Sequence, residues 1–288
     1  MPFFQGKLKM ILHYVLVGTF TKDIIPGGYT PGGTVYYSGV QAKRLGVEVT
    51  IISTAESDID LSTLEPGIKT YIQESPESTT FENVYDKAGN RIQYLTAKAK
   101  PLRIEDAPSL DPPPSILHLG PLVDEVPIDY WKAYPGAKIA VTPQGWMRQV
   151  QVQDKRVMPR YFEEAQELLP NAWAMVFSEE DVGYDESEIN RLADLCSVTV
   201  CTRNLSAASL FVEGERSEVP VHPSTIVDPT GAGDVFTAAF FVWLHETNDP
   251  VKSVKMAHIA AGMSISGQGV SKVLTRAEIT AIYDVYYR

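Results

Sequence analysis

The sequence predicts an α/β fold, a mostly parallel central sheet with helices on both faces and a small β lid. Three observations predict it. Short apolar runs rich in β-branched residues alternate with amphipathic helical stretches, the pattern of a sheet wrapped on both sides. Residues 68–97 break that rhythm with alternating polar and aromatic residues. The 288 residues, 44% hydrophobic and 21% charged, suffice for a large core without disulfides.

The first strand spans 11–17 and ends at Gly18. Its apolar run is too short to cross a bilayer, and no small-residue cleavage site follows. A helix runs from about Thr34 to Leu45, and Gly46 stands where a helix stop favours glycine. Residues 47–53 form the next strand. Within 68–97, strands at 69–73, 79–85 and 91–96 are expected to stand off the body as the main lid, with a turn at 86–90. A short lid segment at about 19–32 completes it. After Asp111-Pro112-Pro113-Pro114 the alternation resumes, with strands at 116–119, 138–142, 172–177 and 198–202. Helices are expected at 160–169 and 186–195, and then at 234–246, 251–266 and 276–286. No Pro/Gly/Ser linker separates comparable halves, so 1–288 reads as one domain.

Composition narrows the function. The net charge of −11 repels a phosphate backbone, which argues against general nucleic-acid binding while allowing a local pocket for a small phosphate. Two cysteines, Cys196 and Cys201, cannot make a disulfide framework, so a soluble protein of the reducing cytoplasm is expected. Walker A, Gly-x-Gly-x-x-Gly, His-Glu-x-x-His and Gly-x-Ser-x-Gly patterns are all absent, which removes support for P-loop, nicotinamide, zinc-protease and serine-hydrolase chemistry. His118 closes an apolar strand and reads as a core residue.

The most informative stretch is Asp228-Pro229-Thr230-Gly231-Ala232-Gly233-Asp234, directly before an apolar helix. Small residues let a ligand approach the backbone, and the first helical turn offers N–H groups without internal partners. With the helix dipole they make an anion site. A carboxylate at its mouth, Asp234, is electrostatically costly beside a phosphate and so suggests a task. It can take the proton of a hydroxyl that attacks phosphorus, late in the transition state when that proton has become acidic. The plainer alternative is a capped helix start.

These residues resemble the second signature of the PfkB, ribokinase-like carbohydrate kinase family, Asp-Thr-x-Gly-Ala-Gly-Asp, with Pro229 in place of the Thr. Gly32-Gly33 followed by a helix ending Leu45-Gly46 resembles its first signature, and Gly18-x-x-x-x-Asp23 its motif after the first strand. The resemblance implies a ribokinase-like three-layer sandwich and ATP-dependent phosphotransfer to a hydroxyl of a small sugar, polyol or cyclitol. It implies Asp234 as catalytic base and the amides of Gly231, Ala232 and Gly233 as anion hole. Asp23, Gly32 and Gly33 would bind the acceptor, with Tyr37 standing where many members carry Asn. Gln144 and Arg148 resemble the inositol-kinase-like branch. Thr202, Asn204 and Ala261 would serve the nucleotide, although Asn204 and Ala207 replace the family's glycines. Asp181 would face Mg²⁺, and Asp228 a monovalent cation such as K⁺. Family members are often dimers joined through their lids, so a homodimer is compatible with the sequence. Two rivals stay open: a nucleoside kinase, supported if Tyr36 or Tyr37 stacks a base, and a catalytically silent sensor on the same fold.

Overall fold

The computed structural model describes residues 11–85, 91–204 and 206–287; the turn expected at 86–90 falls outside them. The chain opens with β1 (His13–Thr19), the hairpin strands β2 (Thr21–Ile25) and β3 (Gly28–Gly32), α1 (Thr34–Arg44) and β4 (Glu48–Ala55). Then come β5 (Lys69–Glu74), β6 (Thr79–Tyr85), β7 (Arg91–Ala97), β8 (Ile116–Leu119) and β9 (Lys138–Val141). A ribbon of β10 (Arg148–Val150) and β11 (Val157–Pro159) precedes the one-turn α2 (Ala165–Leu168). β12 (Ala174–Ser178), α3 (Glu186–Ala193), β13 (Val198–Thr202), β14 (Ala208–Val212) and β15 (Glu215–Val219) follow. Three helices end the chain: α4 (Ala232–Thr247), α5 (Pro250–Ser264) and α6 (Arg276–Tyr287).

Nine strands form the central sheet in the order β15-β14-β13-β12-β9-β8-β1-β4-β5. Seven of them run parallel, and β14 and β15 are added antiparallel at one edge. β1 is buried at every position, its polar ends His13 and Thr19 included, as a central strand of a parallel sheet covered on both faces requires. One apolar core packs α1, α4 and α5 against one face, and a second packs Trp146, Phe162 and the α3 side against the other. The chain builds outward from β1 to β4 and β5, then returns to β8 and continues the other way. That reversal opens a crevice at the carboxyl ends of β1 and β8, the place where such sheets bind ligands.

The segment expected as a lid contributes to a separate four-stranded sheet, β3-β2-β6-β7, with β2 parallel to β6. The strand expected in it at 69–73 is not there. β5 pairs in parallel with β4, from Thr50 opposite Lys69 to Ala55 opposite Glu74, and so forms the outer edge of the central sheet. An edge strand exposed on one side shows the same polar alternation as a lid strand. The segment before α1, expected to be a minor contributor, supplies half the lid strands as β2 and β3. The helix expected at 160–169 is one turn of α2 followed by a 3₁₀ turn at Leu169–Asn171.

Cys196 and Cys201 are buried free thiols, pushed up to about 11 and about 12 by burial, which makes them unreactive. His118 is the core residue the sequence predicts. Tyr14 Oη lies 3.0 Å from its Nδ1, the Thr142 hydroxyl meets its Nε2, and burial holds its pKa down at about 3. Among the described residues no helix is long and apolar enough to cross a membrane.

Candidate active site

The loop before α4 is built by Asp228. Its Oδ1 accepts the Thr230 N–H at 3.0 Å and its Oδ2 the Gly269 N–H at 3.1 Å. Burial pushes this carboxyl up, but the hydrogen bonds from Gly269 and Thr230 more than offset it, leaving the pKa below the ordinary value. The loop is thereby tied to the segment after α5. Gly231 then takes φ 77°, a left-handed conformation that a side chain would strain, and a Cβ there would enter the Tyr37 ring. α4 starts at the next residue. The Ala232 N–H donates to the Pro229 carbonyl at 3.2 Å and is engaged within the loop.

Asp234 lies in the first turn of α4 and is partly accessible, whereas Val235 and the nine residues after it are buried. Burial of the carboxyl raises its pKa to about 6; a hydrogen bond from the Thr34 side chain and the charge of Arg148 pull it down, and Asp181 and Asp23 push it up. The residues named by that electrostatic neighbourhood come from four elements: β2, α1, β10 and the turn after β12. Sequence-distant candidates therefore converge on one carboxylate.

The acceptor side is equally specific. Asp23, on β2, accepts from the Thr21 hydroxyl at 3.3 Å and overlies Gly32. Arg148 Nη1 donates to the Leu122 carbonyl at 3.5 Å. Gln144, expected to face the acceptor, instead donates from Nε2 to Asp181 Oδ1 at 3.0 Å, while Asp181 Oδ2 accepts the Ser178 N–H at 2.9 Å. Both oxygens of Asp181 are therefore engaged within the protein. Tyr37 is buried with its ring against Gly231 and edge-on to Tyr36, at a centroid separation of 5.1 Å. Its phenol is held well above the ordinary range by burial and by the carboxylates of Asp23, Asp228 and Asp234. It supports the loop from beneath.

Residues 139–276, just under half of the chain, match the model of the pfkB family of carbohydrate kinases. A stretch of 111 residues is 32% identical to the bifunctional protein HldE of Trichlorobacter lovleyi, covering 36% of this chain and only 22% of that protein's length. A pyrophosphate-dependent myo-inositol-1 kinase shares the fold at TM-score 0.76 and 19% identity, over 96% of this chain and 100% of the other. Ribokinase of Thermotoga maritima matches at TM-score 0.71 and 19% identity, over 95% and 99%. A nucleoside kinase of Methanocaldococcus jannaschii matches at TM-score 0.71 and 17% identity, over 95% and 98%. At these identities the shared property is the pfkB fold.

The remaining candidates lie on the other flank of the pfkB loop. Thr202 ends β13, and its hydroxyl donates to the Phe177 carbonyl at 3.4 Å. Asn204 adopts φ 48°, the left-handed turn that its side chain tolerates, and donates from Nδ2 to Glu180 at 2.8 Å. Ala261 sits in α5 beside a hollow of about 410 Å³ lined by Pro223, Ser224, Thr225, Gly262, Met263 and Ser266. Among the described residues, no group of three or more His, Cys, Asp or Glu side chains could hold a metal by itself. Thr34 and Ser38 meet Asp234 from α1, and local patterns do not single them out. Their signal is nevertheless present: polar residues four apart on a helix otherwise buried from Thr34 to Ala42.

Proposed function

We propose that the protein transfers the terminal phosphoryl group of ATP to a hydroxyl of a small polyol, sugar or cyclitol. The observation that carries this reading is the Asp234 carboxyl, set in the first turn of α4 next to a glycine loop and tuned to about 6. At neutral pH it is mostly ionised and a far better proton acceptor than a free carboxylate. In the reaction the acceptor oxygen attacks the γ-phosphorus, its proton passes to Asp234, and the bond to the departing ADP oxygen breaks. The Gly231 and Gly233 amides stabilise charge on the phosphoryl oxygens. Asp23 accepts hydrogen bonds from neighbouring acceptor hydroxyls, and Arg148 offers them a donor. Lid strands β2, β3, β6 and β7 exclude water that would otherwise be phosphorylated. Mg²⁺, approached by Asp181 through water, would neutralise donor charge, and a cation such as K⁺ would sit near Asp228.

Two features favour a polyol over a nucleoside. Tyr36 and Tyr37 are both buried, and the Tyr36 hydroxyl is engaged with the Thr63 side chain at 2.9 Å, so neither ring is presented to stack a base. The test is turnover with ATP or pyrophosphate against inositol, ribose, fructose, adenosine and cytidine, followed by ADP or phosphate release. Phosphorylation of a polyol with ATP is expected. Activity confined to nucleosides overturns the acceptor class, and ATP binding without turnover on any acceptor points to a sensor.

A further inference from the structure

α1 carries two buried hydroxyls that apolar packing does not call for. Thr34 is 1% exposed and Ser38 fully buried, on the helix face that meets α4. Buried hydroxyls are retained at a cost unless hydrogen-bonded, so their partners matter. The Ser38 hydroxyl donates to the Asp234 main-chain carbonyl at 2.8 Å. Thr34, one turn earlier on the same helix, stands beside the Asp234 carboxyl and favours its ionised form. Between them, one turn along, the Tyr37 ring packs on Gly231. Two contacts from one helix thus hold the backbone and the preceding turn of the same loop, with Thr34 beside its carboxyl.

Thr34 is itself placed from below. A Cβ on Gly120, just past β8, would lie 2.6 Å from Thr34 Cγ2, so the missing side chain at 120 is what lets the Thr34 methyl settle there. With the methyl seated, the hydroxyl has little rotamer choice. α1 also begins directly after Gly32 and Gly33, on the acceptor side of the site.

We propose that Thr34 and Ser38 are positioning residues that hold Asp234 in its proton-accepting orientation, coupling the acceptor-side turn at Gly32-Gly33 to the catalytic carboxylate through α1. The inference rests on the proposed role of Asp234. Ser38 fixes where the helix start lies, and Thr34 fixes the carboxylate torsion and favours its ionised form. The other groups facing this carboxylate are Asp23 of β2, Asp181, Arg148 of β10, Tyr14 of β1 and Tyr37 of α1, and a Thr34 variant leaves them all in place.

The experiment compares Thr34→Val, Thr34→Ser and Ser38→Ala in the full chain, with Asp234→Asn as reference, reading kcat, both KM values, the pH profile and melting. Thr34→Val keeps shape and removes the donor. It should lower kcat about tenfold, the rate equivalent of one hydrogen bond, and move the acidic limb of the profile to higher pH. Both KM values should change less than about twofold, since an orienting contact acts on the chemical step. Thr34→Ser should restore kcat and the limb, and Ser38→Ala should lower kcat by about threefold to tenfold. A Thr34→Val protein that melts lower yet keeps wild-type kcat and limb makes Thr34 merely structural and overturns the inference. If Thr34→Val does not fold, Ser38→Ala decides instead, and an unchanged kcat in that variant overturns the inference. Near-normal turnover in Asp234→Asn would instead bring down the underlying reading of the base.

Discussion

The loop before α4 and the loop after β13 flank the same proposed donor, and they are held in opposite ways. The first is fixed by part-buried contacts to the backbone and a buried ring: Asp228 on two backbone amides, Ser38 on the Asp234 carbonyl, Tyr37 on Gly231. The second is held by charge, in a network that runs from the largely buried Arg203–Glu179 pair out to exposed Glu186 and Glu218. Arg203 pairs with Glu179 at 2.7 Å and Glu186 at 2.6 Å, and Arg216 with Glu186 at 3.0 Å and Glu218 at 2.8 Å. The Glu186 side chain, at the centre, is 51% exposed. Desolvated contacts do not weaken with salt and cannot slide, whereas exposed ion pairs are screened and individually weak. The difference teaches which loop is built to a fixed geometry. The one that would meet the transferred phosphoryl group is rigid, and the one beside the rest of the donor can adjust.

The largest expected effect lies on the rigid side. Asp234→Asn should lower turnover by about 100–10,000-fold, the range for losing a general base, with the fold intact by circular dichroism. The same variant should melt higher than wild type near pH 7. The reason is a matter of sign: a carboxyl raised to about 6 binds its proton more readily folded than unfolded, so its stability contribution is lost as pH rises through that value. A lower melting temperature in Asp234→Asn would contradict the burial on which the base assignment depends.

Next comes Gly231→Ala, which combines left-handed strain with a collision against the Tyr37 ring. It should cost about 1–3 kcal/mol in urea unfolding and reduce kcat as well. Normal kcat with only reduced stability would show that the loop tolerates displacement, and the contrast between the loops would fail. A smaller, graded effect is expected from pH. Turnover should fall as the medium drops through about 6, because Asp234 must be ionised to accept a proton.

The smallest effect belongs to the charged side. Glu186→Gln removes two partly exposed ion pairs and should cost under about 1 kcal/mol for each. Raising salt to roughly 0.5 M should shrink the difference from wild type, as screening predicts. A salt-independent loss of several kcal/mol would place this network with the rigid loop.

Much of the site was legible because its decisive residues are contiguous. Seven successive residues at a helix start announce an anion pocket whatever surrounds them, and local helix physics makes them one. His118 and both cysteines were legible for a similar reason, since an apolar strand buries whatever it carries. β5 was not. Polar alternation marks any half-exposed strand, and only pairing decides whether it edges the central sheet or the lid. Gln144 read as an acceptor ligand and turned out to hold Asp181, because a partner 37 positions away takes its amide.

The sequence by itself determined the alternation of strands and helices, the anion loop and the carboxylate beside it, since each is set by neighbours within a few residues. Tertiary structure alone decided that Thr34, Ser38 and Tyr37 reach that loop from α1, about 200 residues earlier in the chain, and that Asp23, Arg148 and Asp181 share its field. The pKa of Asp234 and its orientation depend on groups folded around it, and long-range packing leaves no periodic trace for a local pattern to carry.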